Sequence, residues 1–295
     1  MSERSKPDWL VIKAPDPKAV SEMRTLLEDL NLHTICESAL CPNIGVCYAR
    51  GTATFMILGD ICTRNCRFCA VKKGTPLPSD PKEPRHVAEA VSRLRLKYVV
   101  VTSVTRDDLE DLGSHQFAMT INEVKRLNPN TGVEVLIPDF QGLEACLKTV
   151  LEAEPDVVAH NVETVPRLYS EVRPKASYRN SLKVLRIVKE LEAGVLTKSG
   201  LMVGLGETED EVVAVMKDLR SVGCDIMTLG QYLRPSEDHL KVKEFVRPEK
   251  FERYKETGMS LGFLHVESGP LVRSSFRASE YFSRIALAER QRIYP

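Results

Sequence analysis

"HTICESALCPNIGVCYARGTATFMILGDICTRNCRFC", residues 33–69, holds six of the chain's eight cysteines. They form two triplets on either side of TATFMILG (52–59), an apolar run rich in strand-forming residues. Cys36, Cys41 and Cys47 are spaced C-x4-C-x5-C, and Cys62, Cys66 and Cys69 are spaced C-x3-C-x2-C. The second triplet starts just past the run, which places its thiols at the C-terminal end of a strand. Structural zinc sites are closed by four ligands, usually in two short pairs. The triplets match that pattern poorly, although His33 or His86 could complete one. Three protein thiolates on an iron–sulfur cluster leave one iron open, the mark of a reactive site. Structural disulfides are the weaker alternative for a chain in a reducing compartment.

Outward from this stretch, strand and helix patterns alternate. β-rich runs recur at YVVVTSV (98–104), GVEVLIPD (132–139), DVVAHNVE (156–163), LTKSGLMVGLG (196–206) and DIMTLGQYL (225–233). Between them lie helical patterns: EPRHVAEAVSRLRL, SHQFAMTINEVKRL, GLEACLKTVLEAE, NSLKVLRIVKELEA and EDEVVAVMKDLRSVG. Several open on Ser, Asn or an acidic residue, as helix N-termini do. With TATFMILG this makes six β-then-α units, the βαβ repeat of a parallel sheet. The expected class is α/β, a partial (β/α)6 TIM-type barrel, with N- and C-terminal extensions covering its open face. A doubly wound sheet shares the same periodicity. The expected divisions are 1–51, an extension carrying the first triplet; 52–235, the barrel core; and 236–295, a C-terminal extension. PKAVSEMRTLLEDLNL (17–32) reads as an amphipathic helix, and KFERYKETGMSLGFLHVESG as a helix followed by a strand.

In either architecture ligands bind where strands end at their C-termini. Polar residues recur there: Ser103, Thr105, Asp139, Asn161, Glu163, Lys198, Ser199, Gln231 and Arg234. Individually they read as helix caps or loop-satisfying groups; together with the cysteines they line a mouth.

Composition limits the partners. The 295 residues are 43% hydrophobic, enough for a sizeable core, and 41 basic residues balance 41 acidic ones. No global field draws in nucleic acid or an anionic membrane, and neither is expected as a partner. No apolar stretch is long enough to span a bilayer, and the opening residues lack a signal-peptide pattern. The expected compartment is the cytoplasm. Cys146, in a helical pattern, and Cys224, before a strand, read as packing residues.

C-x3-C-x2-C after a first barrel strand, with an aromatic Phe68 before the last cysteine, resembles the radical S-adenosylmethionine (SAM) superfamily. The upstream triplet and RSSF (273–276) narrow this to a resemblance to the lipoyl synthase family. It runs from KPDWL through VTSVTRDDLEDLGS, HNVETVPRLYSEVRP, GLMVGLGET and LGQYLRPS to SGPLVRSSFRA. The resemblance implies that Cys62, Cys66 and Cys69 hold a 4Fe-4S cluster whose open iron chelates SAM. An electron then gives methionine and a 5′-deoxyadenosyl radical. It also implies an auxiliary 4Fe-4S cluster on Cys36, Cys41, Cys47 and Ser275, the second serine of the motif. From the residues alone Ser275 reads as a loop hydroxyl near a helix start, since serine seldom binds metal. In the family the auxiliary cluster supplies two sulfurs to carbons six and eight of an octanoyl-lysine, with one SAM spent per carbon. Implied SAM contacts are Ser103, Asn161, Glu163 and Lys198, with Phe68 near the adenine. Implied partners are an octanoylated lipoyl carrier domain, from a 2-oxoacid dehydrogenase E2 subunit or the glycine cleavage H protein, and an electron donor such as ferredoxin or flavodoxin. Arg64, Arg67, Lys72 and Lys73 beside the cluster loop suit an acidic carrier. The family usually has tyrosine where this chain has Phe276, which keeps the ring and removes a hydroxyl. A biotin synthase or methylthiotransferase relative is the alternative within the superfamily, and a metal-stabilised binding protein the alternative outside it.

Overall fold

The computed structural model describes residues 6–12 and 14–293. The outermost residues of both extensions, 1–5 and 294–295, lie outside the described residues. The strands are β1 (His33–Thr34), β2 (Thr54–Ile57), β3 (Ile61–Cys62), β4 (Lys72–Lys73), β5 (Tyr98–Ser103), β6 (Gly132–Leu136), β7 (Val157–Ala159), β8 (Leu196–Val203), β9 (Ile226–Gln231) and β10 (His265–Gly269). The helices are α1 (Pro17–Asp29), α2 (Ile35–Ser38), α3 (Ile44–Ala49), α4 (Glu83–Arg93), α5 (Ser114–Leu127), α6 (Glu144–Leu151), α7 (Tyr169–Val172), α8 (Tyr178–Leu191), α9 (Glu209–Ser221), α10 (Pro248–Ser260) and α11 (Ala278–Ile293).

Local chemistry starts the helices where the sequence reading expects them. Asp16 caps α1 with Pro17 at its first position. Thr208 and Glu211 form a reciprocal capping box on α9. Between helices, β-branched residues pleat into strands whose order in the main sheet is β1-β2-β5-β6-β7-β8-β9-β10. Every neighbouring pair from β2 to β10 is parallel, and β1 runs antiparallel to β2 at the edge. Consecutive strands lie side by side with a helix over each crossover, the order of a partial barrel and not of a doubly wound sheet. Two strands more than the six expected join it: β1 at the antiparallel edge, and β10, from the C-terminal extension, which lies parallel on β9.

Both faces of the strands are covered. Val99 and Val101 of β5 and Val133 and Val135 of β6 point outward into the core shared with α4, α5 and α6. Each such valine removed from water contributes about 1.5–3 kcal/mol. Tyr98 and Val100, one residue out of phase, point inward with Val157, Leu196 and Ile226. These inward residues open their strands, so they mark the N-terminal rim. Ala278, Tyr281 and Ile285 of α11 pack against them, and α11 therefore floors the barrel.

The N- and C-terminal extensions meet at this rim. The Asn43 amide donates to the Leu271 carbonyl at 2.7 Å, and Arg50 pairs with Glu280 at 3.5 Å. Between β10 and α11 the chain crosses the inner face of β9. A Cβ on Gly230 would stand 2.1 Å from the Val272 carbonyl oxygen, so only glycine lets the crossing lie flat there.

Candidate active site

The turn after β2 carries the Cys62–Cys66–Cys69 triplet and is held from several sides. Cys62 Sγ accepts from the Arg64 and Thr105 backbone N–H groups, each at 3.4 Å. Arg67 donates its N–H to the Val172 carbonyl at 2.9 Å, and His239 Nε2 lies 3.0 Å from the Cys69 carbonyl. Arg64, between the first two cysteines, forks onto two carboxylates. It reaches Asp107 at 2.7 and 2.8 Å and Asp139 at 2.8 and 2.7 Å. Burial alone would raise Asp139, but the Arg64 hydrogen bonds and charge outweigh it and hold the carboxyl at about 2. Arg64 is therefore a buried clamp and not part of an exposed basic patch, correcting its expected place among the surface cations. Arg67, Lys72 and Lys73 are exposed, and Lys72 pairs with Asp60 at 2.6 Å.

The β7 strand end adds a second polar group. Asn161 Nδ2 donates to Glu163 Oε1 at 3.0 Å. Glu163 sits in the left-handed region at φ 67°, a strain that surrounding structure must hold, as often at binding sites. Arg173, which the sequence reading did not single out, donates to the Asn161 carbonyl at 2.9 Å and stands beside Cys66 and Glu163. Its Nε and the Ser103 Oγ are buried without a hydrogen-bond partner. Buried orphans are rare and each calls for an explanation. A polar ligand at this rim would satisfy both, so the residues fit a bound SAM. Phe68 packs, partly buried, against the core around β8, β9 and α9.

Lys198 departs from expectation. The strand opens at Leu196, making Lys198 its third residue and not its end. It is buried in the barrel floor, ion-paired to Glu134, with its Nζ 2.7 Å from the Tyr281 hydroxyl. The lysine is removed from the candidate SAM contacts on that ground.

The first triplet gathers at the opposite rim. Thr34, at the end of β1, caps α2 through its side chain and puts Cys36 in the first turn; α3 carries Cys47. A cavity of about 300 Å³ is lined by Cys36, Cys41, Cys47, Thr54, Arg273 and Ser275. Thr54 stands beside Cys36 and donates its hydroxyl to Ser275 Oγ at 2.7 Å. The Arg273 guanidinium stands beside Cys41. Burial pushes the Cys36 and Cys69 thiols up to about 12 and raises Cys41, Cys47 and Cys66. Such thiols ionise only against a strong cation, which is what bound iron supplies. Among the described residues no three His, Cys, Asp or Glu groups close around one ion. Three thiols on each turn, with Ser275 facing the same cavity as the first three, are the donor types an iron–sulfur cluster takes.

Parallel pairing sets the separation. Thr54, beside Cys36, is level with Val100, and Thr105, five residues on, contacts Cys62. At ~3.3 Å per strand residue the two sites lie roughly 16 Å apart along the barrel. Cys146 and Cys224 are buried elsewhere and donate to backbone carbonyls, as packing cysteines do.

Known proteins share this chain's sequence and fold. The radical SAM superfamily profile matches residues 56–219. The lipoyl synthase of Caldanaerobacter subterraneus subsp. tengcongensis is 62% identical over 92% of this chain and 95% of its own. That of Caldicellulosiruptor saccharolyticus is 58% identical over 95% of this chain and 98% of its own. Among solved structures, methylornithine synthase superposes with a TM-score of 0.55 at 15% identity, over 84% of this chain and 81% of its own. Streptococcus suis SuiB bound to S-adenosylmethionine does so at 0.55 and 12% identity, over 82% and 57%. The structural likenesses support the barrel alone. The sequence matches place the two-triplet chain: it belongs to the lipoyl synthase family of the radical SAM superfamily.

Proposed function

We propose that the chain inserts two sulfur atoms at carbons six and eight of an octanoyl-lysine borne by a lipoyl carrier domain, forming the lipoyl group. The observation that carries this is the convergence of Cys36, Cys41, Cys47 and Ser275 on one cavity, at the far rim from Cys62, Cys66 and Cys69. When bound, a 4Fe-4S cluster at the Cys62 triplet supplies the electron that cleaves SAM, and one at the Cys36 triplet supplies the sulfur. The chain's own residues do the rest. Arg173, Asn161, Glu163 and Ser103 offer charge and hydrogen bonds to the polar groups of SAM at the C-terminal rim, and Phe68 an apolar face to its adenine. The barrel wall between the rims shields a radical from water. Ser275, a harder donor than thiolate, is the ligand that can let go when sulfur leaves.

The carrier is the 2-oxoacid dehydrogenase E2 subunit or the glycine cleavage H protein, and exposed Arg67, Lys72 and Lys73 suit an acidic carrier surface. Ferredoxin or flavodoxin supplies the electrons. Among the described residues no helix is long and apolar enough to cross a membrane, in keeping with work on carrier proteins in the cytoplasm.

The test is anaerobic. Iron and acid-labile sulfide are counted per chain after reconstitution, and an octanoylated carrier peptide is then incubated with SAM and reductant. About eight of each, with a mass gain of two sulfurs on the peptide, is the expected result. About four of each, or SAM cleavage without sulfur gain in the fully loaded protein, would overturn the reading.

A further inference from the structure

The barrel floor holds an ion pair that the reaction above does not use. Lys198 of β8 and Glu134 of β6 are fully buried and paired. Tyr98 donates its hydroxyl to Glu134 at 2.9 Å. Tyr281, in the first turn of α11, accepts from Lys198 at 2.7 Å, and the Glu134 carboxylate stands beside its hydroxyl. Its ring lies under the lysine, 5.3 Å from Nζ to centroid, and stacks on His265 at 4.9 Å. Every member has a partner, so the network is closed.

Stability does not explain it. Burial works against the charge on Lys198, with Glu134 opposing that effect, and well-packed apolar residues in place of such a pair are often neutral or stabilising. Position does explain it. Among the described residues the other α11 contacts are the exposed, weak Arg50–Glu280 pair and apolar packing through Ala278, Ile285 and Phe282, which tolerates sliding because hydrophobic attraction is non-directional. A hydroxyl between a buried ammonium and a carboxylate has one place to be. Tyr281 is six residues beyond Ser275, so a slip of one helical turn, about 5.4 Å, would carry the serine out of the auxiliary cavity.

We propose that the Glu134–Lys198–Tyr281 network moors α11 in register and thereby sets where Ser275 stands, making Lys198 and Tyr281 positioning residues for the auxiliary site. This rests on the reading of Ser275 as the fourth ligand. Thr54 holds the serine from one side; the mooring holds it from the other.

The experiment measures iron release to a chelator, without oxygen, from the reconstituted full chain carrying Ala at Cys62, Cys66 and Cys69, which keeps only the auxiliary cluster. Four changes are compared on that background: Tyr281→Phe, the charge-free pair Lys198→Met with Glu134→Leu, Phe282→Leu and Ser275→Ala. Tyr281→Phe keeps the ring and removes the hydroxyl. It should speed release about tenfold, the scale of one hydrogen bond to a charged group. The double variant, which leaves no lone buried charge, should match it, and Ser275→Ala should release at least as fast. Phe282→Leu trims apolar packing on the same helix and should lower the melting temperature without changing release. Acceleration by Ser275→Ala alone would overturn the mooring and leave the serine reading standing. No acceleration even there would overturn the serine reading and the mooring with it. Equal acceleration by Phe282→Leu and Tyr281→Phe would assign the effect to helix docking at large and also overturn the proposal.

Discussion

The two triplets solve one chemical problem by opposite constructions. Cys62, Cys66 and Cys69 lie within eight residues of chain, on one turn fixed to its neighbours by the Arg64 fork and by bonds from Thr105 and His239. Cys36, Cys41 and Cys47 also lie close in sequence, but their site is finished only when the far end of the chain returns. Thr54 and Ser275 are 221 residues apart, and Asn43 and Leu271 are 228 apart. A site built mostly on one local turn, with a tie to His239 at the start of the C-terminal extension, depends less on how the termini meet. One closed by the meeting of two termini can open again, which would suit the sulfur-supplying cluster proposed there.

Removing one ligand from each triplet has the largest expected effect. Cys66→Ala should abolish both SAM cleavage and lipoyl formation, read as 5′-deoxyadenosine and as peptide mass. Cys36→Ala should abolish lipoyl formation alone. If Cys36→Ala, once shown to fold, also stopped SAM cleavage, the sites would not be separable and the comparison would break.

Next in size is the clamp. Arg64→Met strands Asp107 and Asp139, and breaking a buried pair from one side costs about 3–5 kcal/mol. Thermal unfolding should show the loss, and iron should go from the Cys62 site while the auxiliary site keeps its share. Equal loss from both would mean that the local turn is no more independent than the other.

Acid should act on the same clamp with a smaller effect. Asp139 is depressed in the fold, so its contribution is complete above the ordinary value of 3.8 and is lost as pH falls through about 2. That shift amounts to about 2 kcal/mol. Acid unfolding of the cluster-free chain, followed by circular dichroism between about pH 4 and 2, should steepen in the wild type relative to Asp139→Asn. Identical curves would remove the electrostatic role given to Arg64.

The barrel was legible because its signals are local. SHQFAMTINEVKRL is α5 to the residue, and each of the six expected β runs contains a strand. What was not legible needed distance. Lys198 read as a strand-end ligand because LTKSGLMVGLG gives no direction in space; Glu134 and Tyr281, far off in sequence, claim it. Arg64 read as a surface cation until two loops placed carboxylates on either side. Arg173 carries no periodic or spacing signal, and only its approach to Cys66 and its orphaned Nε mark it. The sequence expectation also gave one functional rim. The auxiliary site lies at the other, since Cys36 is tied to the first residue of β2 and Cys62 follows the last.

The smallest expected effect asks how firmly the chain ends are tied. Thr54→Val keeps shape and strand propensity but removes the hydroxyl that bonds Ser275. The Thr54 side chain also lies against Cys36, so the change reaches the cysteine side of the site as well as the serine. The loss should be about 1 kcal/mol, one ordinary hydrogen bond, scarcely visible in thermal unfolding. If the serine is held by returning chain and not by a local turn, even this should register as a lower yield of lipoyl product per SAM cleaved, with the rate of SAM cleavage unchanged. A parallel fall in both would show that Thr54 supports β2 and, through it, the Cys62 turn. The two constructions would then share a strand as their common weak point.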